Sequence, residues 1–376
     1  MRNPFVLFCA GEDSGDVLGE AFVREAVRLG FVVRGVGGCR MQAAGLESTE
    51  DYETLPVSGF LDIFPRAFRL RGILSRLESL LESEDCIALV CIDYPGFNMK
   101  LVRMAERLKK PSLYVAPPQA WAWKSSRVKY LRTARLAVLF EFERKFYEEH
   151  GCKAECLLHP FPRVVGDNSN ANLLLLPGSR KSQALRNLSF FASVALRWHS
   201  ANPQGRAVVF ASRTSLVETF TQTLRKSFGQ NLPDWLSVEI SPLDAGARAA
   251  MFSGYSFALS APGSASLEIA RSGVPLVVAG VIEPLTYFVG SRLVKTNFFA
   301  LPNVLLQCRA VPEYFFTCGR SRKKANADEV ARALCAGNTE TSRAIADALD
   351  DAYANAKSAE SLMLELLGEF VKRDAH

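Results

Sequence analysis

Several short stretches carry residues whose types and spacing could do chemistry, and most stand where an apolar run gives way to a helical pattern. In Ala10-Gly-Glu-Asp-Ser-Gly-Asp16 the small residues let backbone N–H groups face a ligand, and a helix beginning there favours an anion. A helix start capped by Ser14 or Asp16 accounts for the same residues. No G-x-G-x-x-G dinucleotide fingerprint is present, and after Gly35-Val-Gly37 the third glycine is replaced by Arg40. Leu176-Pro-Gly-Ser-Arg-Lys-Ser182 ends like a phosphate loop, but Arg180 occupies the position of the required glycine, which excludes that motif. What remains is a turn with Gly178 and Ser179, whose Arg180 either grips a pyrophosphate bidentately or lies solvated on the surface. In the stretch Ser260 to Pro275, Gly263-Ser264 opens a helix that can hold a diphosphate. Glu268, about one turn inside it, either accepts from ribose hydroxyls or is an exposed helix residue. Asp93 closes a buried run before Tyr94-Pro95-Gly96, a good place for a general base, although spacing alone favours a plain turn. Trp121 and Trp123 flank a loop, as packing at a domain edge would also require. Phe60–Leu74 mixes bulky apolar residues with Arg66, Arg69 and Arg71, as a membrane-interfacial segment does; an internal helix covering a sheet is the commoner arrangement.

The elements that must position these residues alternate in kind. Apolar runs at Phe5–Ala10, Phe31–Val36, Ile87–Ile92 and Ser112–Ala116 read as strands, with helices predicted over Val17–Leu29 and Asn98–Leu108. The pattern restarts with strands at Asn172–Leu176, Ala207–Ala211, Tyr255–Ser260 and Pro275–Ala279. Helices are predicted between them over Leu185–Trp198, Val217–Phe228 and Ser264–Arg271. Near-continuous apolar strands alternating with helices predict α/β domains with parallel, doubly wound sheets. A Pro- and Asn-rich stretch from His159 to Asn170 reads as the linker between an N-terminal domain, 1–165, and a second domain, 166–340. Residues 341–376 read as C-terminal helices, with Leu362, Leu366 and Phe370 on one face of the last. Two such halves are expected to leave a ligand cleft between them, at the carboxyl ends of both sets of strands.

The chain has 376 residues, 48% hydrophobic and 22% charged, which excludes a disordered chain. Four His leave little room for a multi-His metal site. A net charge of +6 suits anionic substrates or an anionic membrane surface and gives little support to nucleic-acid binding. The nine Cys form no C-x-x-C pair, and Cys9 and Cys91 read as small buried hydrophobes, so a reducing compartment is expected. No apolar stretch reaches the roughly 18 residues of a spanning helix, and Phe5–Ala10 is too short for a signal core.

The order of these pieces resembles lipid-A-disaccharide synthase. The resemblance is carried by Ala10–Asp16, Gly35–Gly45, Ile92-Asp-Tyr-Pro-Gly-Phe-Asn98, Trp121-Ala-Trp123, Leu176–Arg180, Gly263–Glu268 and Arg292–Asn303, and runs from about Phe5 to about Leu306. It implies a GT-B architecture of two Rossmann-like domains and an inverting glycosyltransferase. The implied reaction joins UDP-2,3-diacylglucosamine to 2,3-diacylglucosamine 1-phosphate at the inner face of the inner membrane, in the cytoplasm, without a cofactor or metal. It implies Asp93 as the base toward the acceptor's 6-hydroxyl and Glu12 as a second catalytic residue lining the acceptor side, with Gly11, Ser14, Gly15, Asp16, Trp121 and Trp123 on that side as well. Gly178, Ser179, Arg180, Gly263, Ser264, Ser266, Glu268 and Asn303 would hold UDP. A homodimer, peripheral membrane association and no nucleic-acid partner are implied as well. Such families often carry an Asp where this chain has Gly96, and a Gly where Leu158 precedes His159. Another UDP-sugar enzyme of the same architecture, an epimerase or a non-lipid transferase, and a non-enzymatic membrane-binding protein are the competing readings. The Phe-rich, basic segments Phe60–Leu74 and Val281–Pro302 argue for acylated substrates.

Overall fold

The computed structural model describes residues 4–11, 13–50, 63–121, 125–158, 161–166, 171–282, 298–317 and 320–374. Much of the expected linker, the Phe60–Asp62 start of the interfacial segment, and residues 283–297 lie outside them, as do Glu12 and Trp123. The chain forms two compact units, the first comprising Met1–Pro160 with Tyr353–His376 and the second Phe161–Ala352.

The first unit runs β1 (Phe5–Ala10), α1 (Asp13–Arg28), β2 (Val32–Val36), α2 (Cys39–Ala43), β3 (Leu46–Ser48), α3 (Ile63–Glu82), β4 (Cys86–Ile92) and α4 (Pro95–Arg107). It continues with β5 (Ser112–Val115), a 3-10 turn (Ser125–Tyr130), β6 (Arg135–Val138), α5 (Glu141–Glu149) and β7 (Lys153–Cys156). Among the described residues these strands form one parallel sheet in the order β3-β2-β1-β4-β5-β6-β7. β1 is buried at every position because helices cover both faces of the sheet, which is why its sequence is a continuous apolar run. Cys9 and Cys91 lie in that interior, where burial pushes both thiols well above their ordinary range.

The second unit runs β8 (Leu173–Leu176), α6 (Lys181–Ala201), β9 (Ala207–Ala211), α7 (Thr214–Phe228), β10 (Leu236–Ile240), α8 (Ala245–Ser253) and β11 (Phe257–Ser260). It continues with α9 (Ser264–Arg271), β12 (Leu276–Ile282), α10 (Leu301–Leu306), β13 (Glu313–Thr317), α11 (Arg320–Cys335) and α12 (Thr339–Ala352). Its strands form a second parallel sheet in the order β10-β9-β8-β11-β12-β13.

The end of the chain serves both units. α12 packs on α9 in the second, whereas the last helix, α13 (Ala359–Asp374), packs on α1 in the first. Leu362, Met363, Leu366 and Leu367 of α13 are buried there, and Phe370 packs against the same cluster, the face that the sequence marked as apolar. A parallel bridge between Leu157 and Lys357 fastens the returning chain, and the Lys357 ammonium reaches both Glu155 and Glu365.

Candidate active site

Each sheet has one place where the connections change direction. In the first unit the chain winds outward from β1 through β2 on one side and from β4 through β5 on the other; in the second the reversal lies between β8 and β11. Ligands of open α/β sheets bind outside the carboxyl ends of the strands at such a point. The four motifs singled out in the sequence follow β1, β4, β8 and β11.

At the first of these points, Gly11 to Asp16 leaves β1 and Asp93-Tyr94 leaves β4. The Ser14 hydroxyl lies 3.4 Å from Oδ2 of Asp93, so the two turns meet at the carboxylate. A Cβ on Gly11 would stand 2.5 Å from the Tyr94 ring, which explains the glycine by close approach. Asp16 is not the helix cap that its position suggested, and neither is Ser14, because α1 already begins at Asp13. The buried Asp16 carboxylate accepts instead from the backbone N–H of Arg40 and of Met41, both at 3.1 Å. It therefore anchors the start of α2 against α1.

Asp93 and Tyr94 have φ values of +48° and +50°, with Pro95 next as the first residue of α4. That left-handed conformation costs a non-glycine residue about 1–2 kcal/mol. Buried groups hold it. The Asp93 carbonyl accepts from Nδ2 of Asn98 at 2.8 Å and from the Tyr114 hydroxyl at 2.9 Å, while its N–H donates to Val115 at 2.9 Å. Asn98 Nδ2 also reaches the carbonyls of Cys9 and Ile92, each at 3.1 Å. Its Oδ1 is buried with no hydrogen-bond partner, an arrangement that costs about 1–3 kcal/mol. Burial, helped by neighbouring Cys91 and Asp93, holds the Tyr114 phenol well above its ordinary range, so it stays a donor. Trp121, in the loop after β5, is half-buried, and its indole N–H donates to Oε1 of Glu143 at 2.8 Å. Burial pushes the Glu143 carboxyl up to about 7, against the lowering pull of the bonds from Trp121, Leu139 and Phe140.

At the second point, Gly178 has φ +113° and Gly263 φ +152°, values reserved in practice for glycine. Gly178, Ser179, Gly263 and Ser264 are half-buried and Arg180 is exposed. The Ala261 N–H donates to the Leu176 carbonyl at 2.8 Å, so the ends of β8 and β11 adjoin. The N-cap positions of α6 and α9 are filled by Arg180 and Gly263, neither of which has a side-chain oxygen. No cap side chain therefore competes with an anion for the N–H groups that open the two helices. Asn187, fully buried, steadies the first turn: its amide donates to Pro177 and accepts from Val281, both at 2.9 Å. Arg213, at the end of β9, donates to the Ser179 carbonyl at 3.3 Å.

Glu268 is not the exposed helix residue its position allowed. It is 4% exposed and paired with the equally buried Arg248 at 2.6 Å. Arg248 also donates to the carbonyls of Pro242 and Leu243 and lies over the Phe161 ring. Ser266 is buried and donates to the Gly263 carbonyl at 2.7 Å, which shapes the turn from behind. Asn303 lies on α10, which packs on α9, with its amide engaged in both directions by the backbone of Val311. Asn98 is marked in the sequence only as the last residue of a motif and the start of a predicted helix, and Tyr114, Glu143, Asn187 and Arg248 are not singled out there as site residues. A polar side chain on an otherwise apolar face, as Asn98 is beside Phe97, Leu101 and Val102, was the available signal for the first.

Among the described residues no group of three His, Cys, Asp or Glu could hold a metal ion, and no helix is long and apolar enough to cross a membrane. The profile of the family described as lipid-A-disaccharide synthetase matches residues 6–365. The lipid-A-disaccharide synthase of Geobacter sulfurreducens is 30% identical over 351 residues, 87% of this chain and 85% of the relative. That of Nitrosococcus oceani is 31% identical over 82% of each. Among solved structures, the calicheamicin glycosyltransferase CalG4 superposes with a TM-score of 0.57 over 98% of this chain and all of its own, at 15% identity. S. aureus MnaA, solved with UDP, gives 0.56 over 91% of this chain and 94% of its own, at 12% identity. These likenesses show the fold, the two-domain GT-B architecture that the resemblance implied. The match of the family profile, together with these relatives, identifies the chain as a glycosyltransferase belonging to the lipid-A-disaccharide synthetase family.

Proposed function

We propose that the enzyme transfers the diacylglucosaminyl group of UDP-2,3-diacylglucosamine to the 6-hydroxyl of 2,3-diacylglucosamine 1-phosphate. The hydroxyl oxygen attacks the anomeric carbon as the bond to UDP breaks, with inversion. The products are the β-1,6-linked disaccharide 1-phosphate and UDP. Asp93 takes the hydroxyl proton. Gly11, Glu12, Ser14, Gly15, Trp121 and Trp123 line the acceptor side, and Asp16 sets the loop from behind. Charge on the departing diphosphate is met by the turns Gly178-Ser179 and Gly263-Ser264 at the starts of α6 and α9, and by the Arg180 guanidinium. Ser266, Glu268 and Asn303 complete the UDP side, Glu268 toward the ribose. The enzyme works at the cytoplasmic face of the inner membrane as a peripheral homodimer, and its excess of cationic side chains suits anionic lipid.

The observation that carries this reading is the placement of the motifs at the two strand-order reversals, the carboxylate at one and two helix N-termini at the other. It is tested by UDP release with the diacylated donor and acceptor, set against soluble UDP-N-acetylglucosamine. Release only with the acylated pair is expected; equal use of both donors refutes the lipid assignment. Asp93→Asn is expected to keep its fold and its affinity for UDP while turnover falls by about two orders of magnitude or more. Near-normal turnover in that variant removes Asp93 from the role of base.

A further inference from the structure

The turn that presents Asp93 is built unlike the other strand ends. Asp93 and Tyr94 are consecutive non-glycine residues in the left-handed region, and such a pair persists only where its surroundings over-determine it. The determinants come from elsewhere in the sequence. Tyr114, on β5, and Asn98, one turn into α4, converge on the single carbonyl of Asp93. Both side chains are wholly buried. The two hydrogens of Asn98 Nδ2 are shared among the carbonyls of Cys9, Ile92 and Asp93, so one amide ties the end of β1 to the end of β4. Position 98 lies among Phe97, Leu101 and Val102, where an apolar residue would pack without leaving a buried oxygen unpartnered. Asn98 supplies what an apolar residue cannot, a fixed direction for the backbone that carries the carboxylate.

We propose that Asn98 and Tyr114 are positioning residues that clamp the left-handed Asp93-Tyr94 turn and thereby set where the Asp93 carboxylate meets the acceptor hydroxyl. The inference rests on the reading of Asp93 as the base. Neither residue touches substrate. Each acts through the carbonyl of the residue whose side chain takes the proton. A clamp of this kind matters because displacing a catalytic group by about 1 Å can cost about a hundredfold in rate.

The test is a double-mutant cycle read in kcat, KM, UDP affinity and Tm. Tyr114→Phe removes one hydroxyl and keeps the buried ring. It is expected to lower kcat about tenfold, with both KM values and the UDP Kd within about twofold and Tm within about 3 °C. In the Asp93→Asn background the same change is expected to have no further effect on residual turnover, because the group it positions is gone. Asn98→Ala, if it folds, follows the same pattern with a larger loss; if it does not, the Tyr114 cycle decides alone. An unchanged kcat in Tyr114→Phe overturns the clamp, and so does an equal loss in both backgrounds, which marks general structural damage. Asp93→Asn with near-normal turnover instead refutes the base, a result separable from either of these.

Discussion

At the scale of single residues, the site is set by what each position lacks as much as by what it carries. Arg180 and Gly263 occupy N-cap positions without an oxygen to cap them, whereas α8 is capped by Asp244 accepting from Ala247. Gly96 stands where the resemblance implies a carboxylate. It sits in the first turn of α4, exposed, and a Cβ built on it meets nothing within 4 Å. Gly96→Asp is therefore expected to fold normally and to be more stable. Relief of the glycine's backbone entropy and the favourable field at the helix start together give about 1 kcal/mol, a rise of roughly 2–4 °C in Tm by calorimetry. A fall in Tm would mean that the open space around Gly96 is filled by something a carboxylate displaces.

At the scale of elements, the helices that carry the site are tied down by buried polar side chains. α9 is held by Arg248 on Glu268 and, at its other end, by Arg271 on Asp350 and the Phe161 carbonyl. α5 is held to the loop after β5 by Glu143, which bonds both the Trp121 indole and the Leu139 N–H. With its carboxyl at about 7 in the folded chain, Glu143 stays protonated where the unfolded chain ionises. Below pH about 4.5 both states are protonated and nothing is lost. Between about 4.5 and 7 stability falls as pH rises, by about 3 kcal/mol in all. Denaturant unfolding at pH 5 and pH 8 should therefore show Glu143→Gln markedly less stable than the parent at the lower pH and much closer to it at the higher. A gap that does not narrow means the carboxyl is ionised throughout. The sequence made the inner strands legible because their burial on both faces leaves unbroken apolar runs; β1 and β9 occur at the residues predicted. It missed one inner strand, β6, whose four residues open on the charge of Arg135, and the four sheet edges β3, β7, β10 and β13, which carry charges such as Glu47, Lys153, Glu239 and Glu313 that interrupt the pattern. The site divides similarly. Turn residues announced themselves by type and order, whereas Tyr114 acts on Asp93 across two strands and looks like any core aromatic until the sheet is assembled.

At the scale of the whole molecule, residues near the end of the chain complete a unit begun at its start. The buried face of α13 covers α1, and the Arg28–Glu360 and Arg135–Glu365 pairs join the last helix to α1 and β6 at the surface. A chain stopped after Ala352 is expected to leave the second unit folded while exposing the apolar cluster around Leu18, Phe22 and Val23. Limited proteolysis should then cut within residues 1–160 and spare 161–352. Equal resistance of both would show that α13 adds little. The same arrangement bears on the order of events during synthesis. The second unit lies between the two parts of the first, so it can fold as soon as residue 352 is made, while the first, though begun earlier, must wait for 353–374. The half that carries Asp93 is thus the later to be finished, and until then its uncovered α1 is an apolar surface on the nascent chain in need of protection.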